Sequence, residues 1–195
     1  MQICTMDTIY IEEKMFEQVD FSTVEFIIAA YDNCKFIGCN FLHVKLSDTI
    51  FTDCVFTGCN FSLTHVHQTA FRDVQFISCK MVGIHFENCK ALGFAIQFNE
   101  CTLSVSSFYQ MKLKNCQFNH SSLIEVDFTD ADLMGIIFNH CNVAGTIFEN
   151  TNLEKANFTT AKNYTINPNN NKIKKAIFSL PEIIGLVQHL NIVIE

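Results

Sequence analysis

Large apolar side chains return at every fifth position along most of this chain. From Phe16 the series runs through Phe21, Phe26, Tyr31, Phe36, Phe41, Leu46, Phe51, Phe56, Phe61, Val66, Phe71, Phe76, Met81, Phe86 and Ala91. It slips by two residues and resumes as Phe98, Leu103, Phe108, Leu113, Phe118, Leu123, Phe128, Leu133, Phe138, Val143, Phe148, Leu153 and Phe158. All 29 positions are apolar in a chain that is 49% hydrophobic, and 18 of its 20 Phe lie on the series, so the period belongs to the fold. Two places before each member stands a mostly small residue, such as Cys39, Cys59, Thr64, Ala131 or Thr151; the other three are mostly polar. A period of five is neither helix nor flat strand. Sustained over so many cycles, it predicts a solenoid in which each unit buries its apolar side against its neighbours. One large and one small side chain per unit fill a narrow tube, and polar residues form its corners.

The ends and one interior segment break the pattern. Residues 1–13 are expected to cap the first coil, which is imperfect because Lys14 stands where a small residue belongs. Between Ala91 and Phe98 two extra residues, with Gly93 among them, predict a bulge or bent corner near 92–97. After Ala161 the beat stops, and Asn163–Asn171 is turn-rich. A short α-helix is expected next, with Ser179 as N-cap, Pro181 in its first turn and Glu182 closing a capping box. A terminal strand over 191–195 follows. The chain therefore divides into a coil, 1–162, and a C-terminal capping segment, 163–195.

Quintets such as Cys39-Asn40-Phe41, Cys59-Asn60-Phe61, Ala131-Asp132-Leu133, Thr151-Asn152-Leu153 and Ala156-Asn157-Phe158 carry the pattern small, Asp/Asn, Leu/Phe. Over roughly residues 14–162 the chain resembles the pentapeptide-repeat family. That resemblance implies an all-β fold, a right-handed quadrilateral β-helix with one quintet per side and four per coil. About seven coils would follow, a rod on the order of 35 Å long at about 4.8 Å per coil. In the second segment Phe alternates with aliphatic residues, so two opposite sides should carry Phe and the other two Leu or Val.

The net charge of −7 is unevenly placed: residues 1–161 carry 18 acidic and 9 basic side chains (−9), residues 162–195 carry 2 and 4 (+2). An acidic rod excludes nucleic acid as a direct ligand, since phosphate contacts need Lys and Arg. It suits a partner with a basic groove. No signal peptide or membrane span is legible, and the cytoplasm is the expected location. Nine of the ten Cys occupy the small inward site and read as core fillers. Cys39, Cys59 and Cys79, twenty apart, would be close enough to crosslink, but in a reducing cytosol they are expected as thiols.

Candidate chemistry is sparse. No phosphate loop or nucleophile triad is present. His65, His67 and His85, and His120 with His140, stack as surface imidazoles with too few convergent ligands for a metal. No cofactor, metal or catalytic residue is expected, and the protein is read as no enzyme. Glu125, Asp127, Asp130, Asp132, Glu149 and Glu154 fall on neighbouring sides and form a candidate partner-binding acidic strip. In length, central phase break and C-terminal segment the chain is similar to the Qnr/MfpA-like branch of the family. That similarity implies a homodimer joined through the C-terminus, here Phe178, Leu180, Ile183, Ile184, Leu186, Val187, Leu190, Ile192 and Ile194. It also implies a DNA mimic that binds DNA gyrase or topoisomerase IV and protects or modulates it (quinolone resistance). The alternative is a generic interaction scaffold, for which the outward apolar set Ile27, Ile37, Ile77, Val55 and Val82 argues.

Overall fold

A computed structural model describes residues 9–190 together with Ile192 and Val193. Three-residue strands stack in parallel to form two sheets. One has four strands, Tyr10–Glu12, Ala30–Asp32, Ile50–Thr52 and Ala70–Arg72; the other has seven, from Met15–Glu17 to Phe138–Asn139. We number the four sides of the coil in chain order: side one carries Ile11, side two Phe16, side three Phe21 and side four Phe26. Sides one and two hold the sheets, and sides three and four are linked by single bridges such as Asn40↔Asn60 and Lys45↔His65. The register is twenty residues per coil, as in Phe16↔Phe36 and Phe36↔Phe56, and becomes 22 once, at Phe76↔Phe98.

The core is a set of vertical columns. On side two, Phe16, Phe36, Phe56, Phe76, Phe98, Phe118, Phe138, Phe158 and Phe178 stack ring on ring, at 4.6–5.8 Å and with planes within 19° of parallel. Phe108, Phe128 and Phe148 form the facing column on side four. The two columns meet edge to face, with Phe108–Phe118 at 89° and Phe118–Phe128 at 81°. As expected for the second segment, Leu and Val fill the remaining sides. Phe56, Phe76 and Phe128 are wholly buried.

Each small inward residue has a second task. Where it bears a thiol or hydroxyl, it donates to the carbonyl of a large residue one coil earlier. Cys59 Sγ reaches Phe36 O at 3.4 Å, Thr64 Oγ1 reaches Phe41 O at 2.7 Å and Thr146 Oγ1 reaches Leu123 O at 2.6 Å. The polar groups of this narrow core are thereby paired. The residue two places after each large one takes positive φ at nearly every corner, including Asp53, Asp73, His120 and Asp130. Asn and Asp tolerate that region, whereas Leu63 and Val105 hold it at φ 56° and 54° against their side-chain sterics. Asn40, Asn60 and Asp132, one place before a large residue, accept from the N–H two residues on and close the turn.

Four expectations change. Ala91 is exposed; the chain bulges over Ala91-Leu92-Gly93, with Gly93 at φ 76°, and Phe94 drops into the core instead. Val24 is also exposed, and Phe16, Phe21 and Phe26 are only partly buried at the first coil.

The period lost after Ala161 is resumed in space. Ile173 and Phe178 pack on the core, and Asn171 in the small site donates from Nδ2 to Phe148 O at 2.8 Å. The C-terminal α-helix is replaced by two 3-10 stretches, Ile183–Leu186 and Gln188–Leu190. Glu182 does not cap there but accepts from Asn163 N at 3.1 Å. Gly185 is pressed onto Tyr164, where a Cβ would collide with the Tyr164 carbonyl, and its own carbonyl accepts from Ile166 N at 3.0 Å. These ties hold the backbone in the tighter winding. Of the expected terminal strand, Ile192 and Val193 are not in a strand, and the rest lies outside the described residues, as do residues 1–8 of the N-terminal cap.

The ring column sets one test. Phe118→Ala removes a ring with neighbours above, below and across, so it should cost about 3–5 kcal/mol. Phe118→Leu should cost markedly less, both read from denaturant melts.

Candidate functional site

The solenoid interior is filled, so anything the protein does falls to its skin. Among the described residues no group of three or more His, Cys, Asp or Glu is placed to hold a metal. His43, His65, His67 and His85 line a shallow groove of about 360 Å³ across sides three and four. His85 Nδ1 lies 2.9 Å from Glu87 Oε1, and the His120 and His140 rings stack at 4.8 Å. Nine Cys are buried free thiols; Cys4 lies outside the described residues. Burial, together with neighbouring thiols, pushes the Cys79 thiol far up and makes this a core group with no nucleophilic use. No described helix is long and apolar enough to cross a membrane.

The six carboxylates of the expected strip occupy one stretch of the skin but do not form an uninterrupted stripe. Glu125 stands at the corner of sides three and four, Asp127 and Glu149 on side four, Asp130 at the next corner, and Asp132 and Glu154 on side one. On side one the ladder reads Lys112, Asp132, Asn152, Lys172, so lysines bracket the acids from both ends. On side four Asp127 is followed one coil on by the exposed Ile147. Several of the acids are tied to their neighbours: Asn152 Nδ2 donates to Asp132 Oδ1 at 2.8 Å, and Asn170 Nδ2 to Glu149 Oε1 at 2.9 Å.

A denser acidic cluster lies at the other end and was not singled out from the sequence. Glu12, Glu13, Asp32, Asn33 and Asp53 line a groove of about 460 Å³ at the corner of sides one and two, with Asp73 next in the same corner column. Its signal in the sequence is the recurrence of acids at intervals of twenty, Glu12 with Asp32 and Asp53 with Asp73. That signal carries meaning only once the coil length is fixed.

The C-terminal candidates separate into two groups. Phe178 and Leu186 pack against the core, and Val187 is half-buried. Leu180, Ile183, Ile184, Leu190 and Ile192 are exposed, joined by Val193; Ile194 lies outside the described residues. Of the outward apolar set, Ile27 and Ile37 are exposed, and Val55, Ile77 and Val82 are half-buried.

The sequence model described as a pentapeptide repeat region matches residues 24–108 and 49–128, and the one described as pentapeptide repeats (8 copies) matches 136–162. The chain belongs to the pentapeptide-repeat family. Among solved structures it is similar to a trypsin-treated form of QnrB1, a plasmid-mediated fluoroquinolone resistance protein, with 16% identity, a TM-score of 0.54, and coverage of 95% of this chain and 99% of that one. It is also similar to HetL, a pentapeptide-repeat protein involved in heterocyst differentiation regulation from the cyanobacterium Nostoc, with 13% identity, a TM-score of 0.61, and coverage of 88% and 87%. At these identities the likeness is one of fold. No curated protein matches the chain in sequence.

The thiol and phenol cores give a pH prediction. Burial first, and nearby groups after it, push Tyr31 from 10.0 to about 12, Cys54 from 9.0 to about 12 and Cys141 from 9.0 to about 11. Folded values raised above the unfolded ones leave this stability complete below pH 9, and it is lost as pH rises towards 11–12. Thermal melts should therefore fall steeply only on that alkaline side, together with the appearance of thiolate absorbance.

Proposed function

We propose that this protein is a non-catalytic, protein-binding rod, and that the partner it engages is a type II topoisomerase, DNA gyrase or topoisomerase IV, which it meets as a rigid stand-in for duplex DNA. The observation that carries the reading is the filled column itself. Its core leaves no cleft for a substrate, while its outer surface repeats charged and polar groups at fixed intervals that a partner's groove can follow. Carboxylates at both ends of the rod, Glu12, Glu13, Asp32 and Asp53 at one and Asp127, Asp130 and Glu149 towards the other, supply the negative charge. QnrB1, a fluoroquinolone resistance protein, shares the fold over nearly the whole of both chains.

A second reading, a scaffold for some other protein, is favoured by one specific observation. Lysines interrupt the acids on side one, and exposed Ile residues stud the skin at Ile27, Ile37, Ile137 and Ile147. A mimic of phosphate charge has no use for these. Gyrase supercoiling and cleavage assays, with and without ciprofloxacin, separate the two. The topoisomerase reading expects protection from the drug or inhibition of supercoiling at stoichiometric protein. No change at a several-fold excess with either enzyme rejects it and leaves the scaffold.

The rod is further assigned as a homodimer joined at its C-terminal end, where Leu180, Ile183, Ile184, Leu190 and Ile192 lie exposed together on the tail. Sedimentation should show a dimer that becomes monomeric in the Leu180→Glu, Ile184→Glu double variant without loss of the thermal transition. A wild-type monomer at high micromolar concentration contradicts this.

A further inference from the structure

The bulge that breaks the coil also opens a recess. At the corner of sides four and one, Ala91-Leu92-Gly93 swings outward, and the next coil does not close the gap. A groove of about 510 Å³ remains, floored by Cys89, Phe94 and Met111 and walled by Glu87, Tyr109 and Lys112. The floor is 4–8% exposed, so it is core surface reached from outside. The volume falls within the roughly 300–1,000 Å³ of ligand pockets, and an apolar floor with a few polar groups is their usual composition.

The polar groups are unevenly satisfied. Glu87 Oε1 takes His85 Nδ1 at 2.9 Å, but Glu87 Oε2 is shielded from water and has no donor. A charged acceptor stripped of water and left unpaired is a cost that a bound donor would recover. After burial, the Glu87 charge is what raises the Cys89 thiol, which places that carboxylate beside the groove floor. Tyr109 stands 40% exposed at the rim, and its hydroxyl accepts from Gln110 Nε2 at 2.8 Å. Gln110 Nε2 also lies 3.5 Å from Asp130 Oδ2, so a second carboxylate borders the rim.

We propose that this groove receives a cationic side chain, an arginine or lysine from an extended segment of a protein partner, with its aliphatic stem on Phe94 and Met111 and its head on Glu87 beside the Tyr109 ring. The cation meets the unpaired oxygen, and the aromatic face adds to the attraction. Lys112 lies on side one, across the corner from Glu87 on side four, and its ammonium suits the partner's flanking carbonyl while opposing the cation. The inference rests on the reading of the rod as a protein-binding surface, but not on the partner being a topoisomerase.

The test is amide-resolved NMR with capped Leu-Arg-Leu, Leu-citrulline-Leu and Leu-Ala-Leu peptides on the full chain. The arginine peptide should shift the amides of Ala91, Tyr109 and Met111 and saturate in the millimolar range. The uncharged citrulline and alanine peptides should bind at least about tenfold more weakly. Glu87→Gln should lose the same factor while keeping the wild-type melt, and Lys112→Ala should tighten binding. Equal binding of the three peptides, shifts scattered over the rod, or an unaffected Glu87→Gln variant overturns the proposal. If Glu87→Gln fails to fold, the peptide comparison on the unaltered protein decides alone. A null result in the supercoiling assay leaves this outcome untouched.

Discussion

Two spacings must coincide for this molecule to exist. Parallel backbones pair at about 4.7–4.9 Å, and aromatic rings stack comfortably near the same distance. A Phe placed at the same point of successive coils satisfies both at once. The side-two column shows the match directly, with ring separations of 4.6 Å at Phe36–Phe56 and 4.7 Å at Phe138–Phe158. The facing column, set edge-on, fixes the rotation of each ring. A slip of one residue would turn every large side chain outward and every corner residue into a forbidden conformation, so the register has no near competitor.

That constraint decides where function can lie. The tube is too narrow for a cavity along most of its length, and its small inward residues spend their polar atoms on carbonyls of the coil before. What varies freely is the skin, where each coil offers side chains at fixed height and angle. The bulge at Ala91-Leu92-Gly93 is an exception with consequences. The two extra residues cannot be absorbed by a tube already full, so they leave it, Phe94 replaces the missing large residue, and core surface is opened beside them.

Most of the architecture was legible because a five-residue beat has few physical meanings. The coil, its columns of like residues, the inward cysteines and the position of the break all follow from it. The misses share a cause: they depend on contacts between segments that the local pattern does not record. Ala91 sits on the beat, yet Phe94 displaces it because a larger side chain fills the column. Phe178 was assigned outward because Asn163–Asn171 hides the resumption of the period, and Asn171 occupies a small site by using the carbonyl bond that Thr and Cys use elsewhere. The tail winds as 3-10 turns because Tyr164 and Asn163 hold it down. On the skin, the six carboxylates from Glu125 to Glu154 were readable as residues, but the lysines that bracket them appear only when side one is assembled. The acidic corner around Asp32 and Asp53 is invisible until residues twenty apart are known to be neighbours.

The central claim, that twenty residues make one interchangeable coil, is tested most directly by lengthening the rod. Duplicating residues 117–156 in tandem adds forty residues in register. The account predicts a cooperative fold of undiminished thermal stability whose largest dimension in small-angle scattering grows by roughly 10 Å. A duplicated protein that loses its cooperative transition, or that scatters as a rounder particle instead of a longer one, would contradict it.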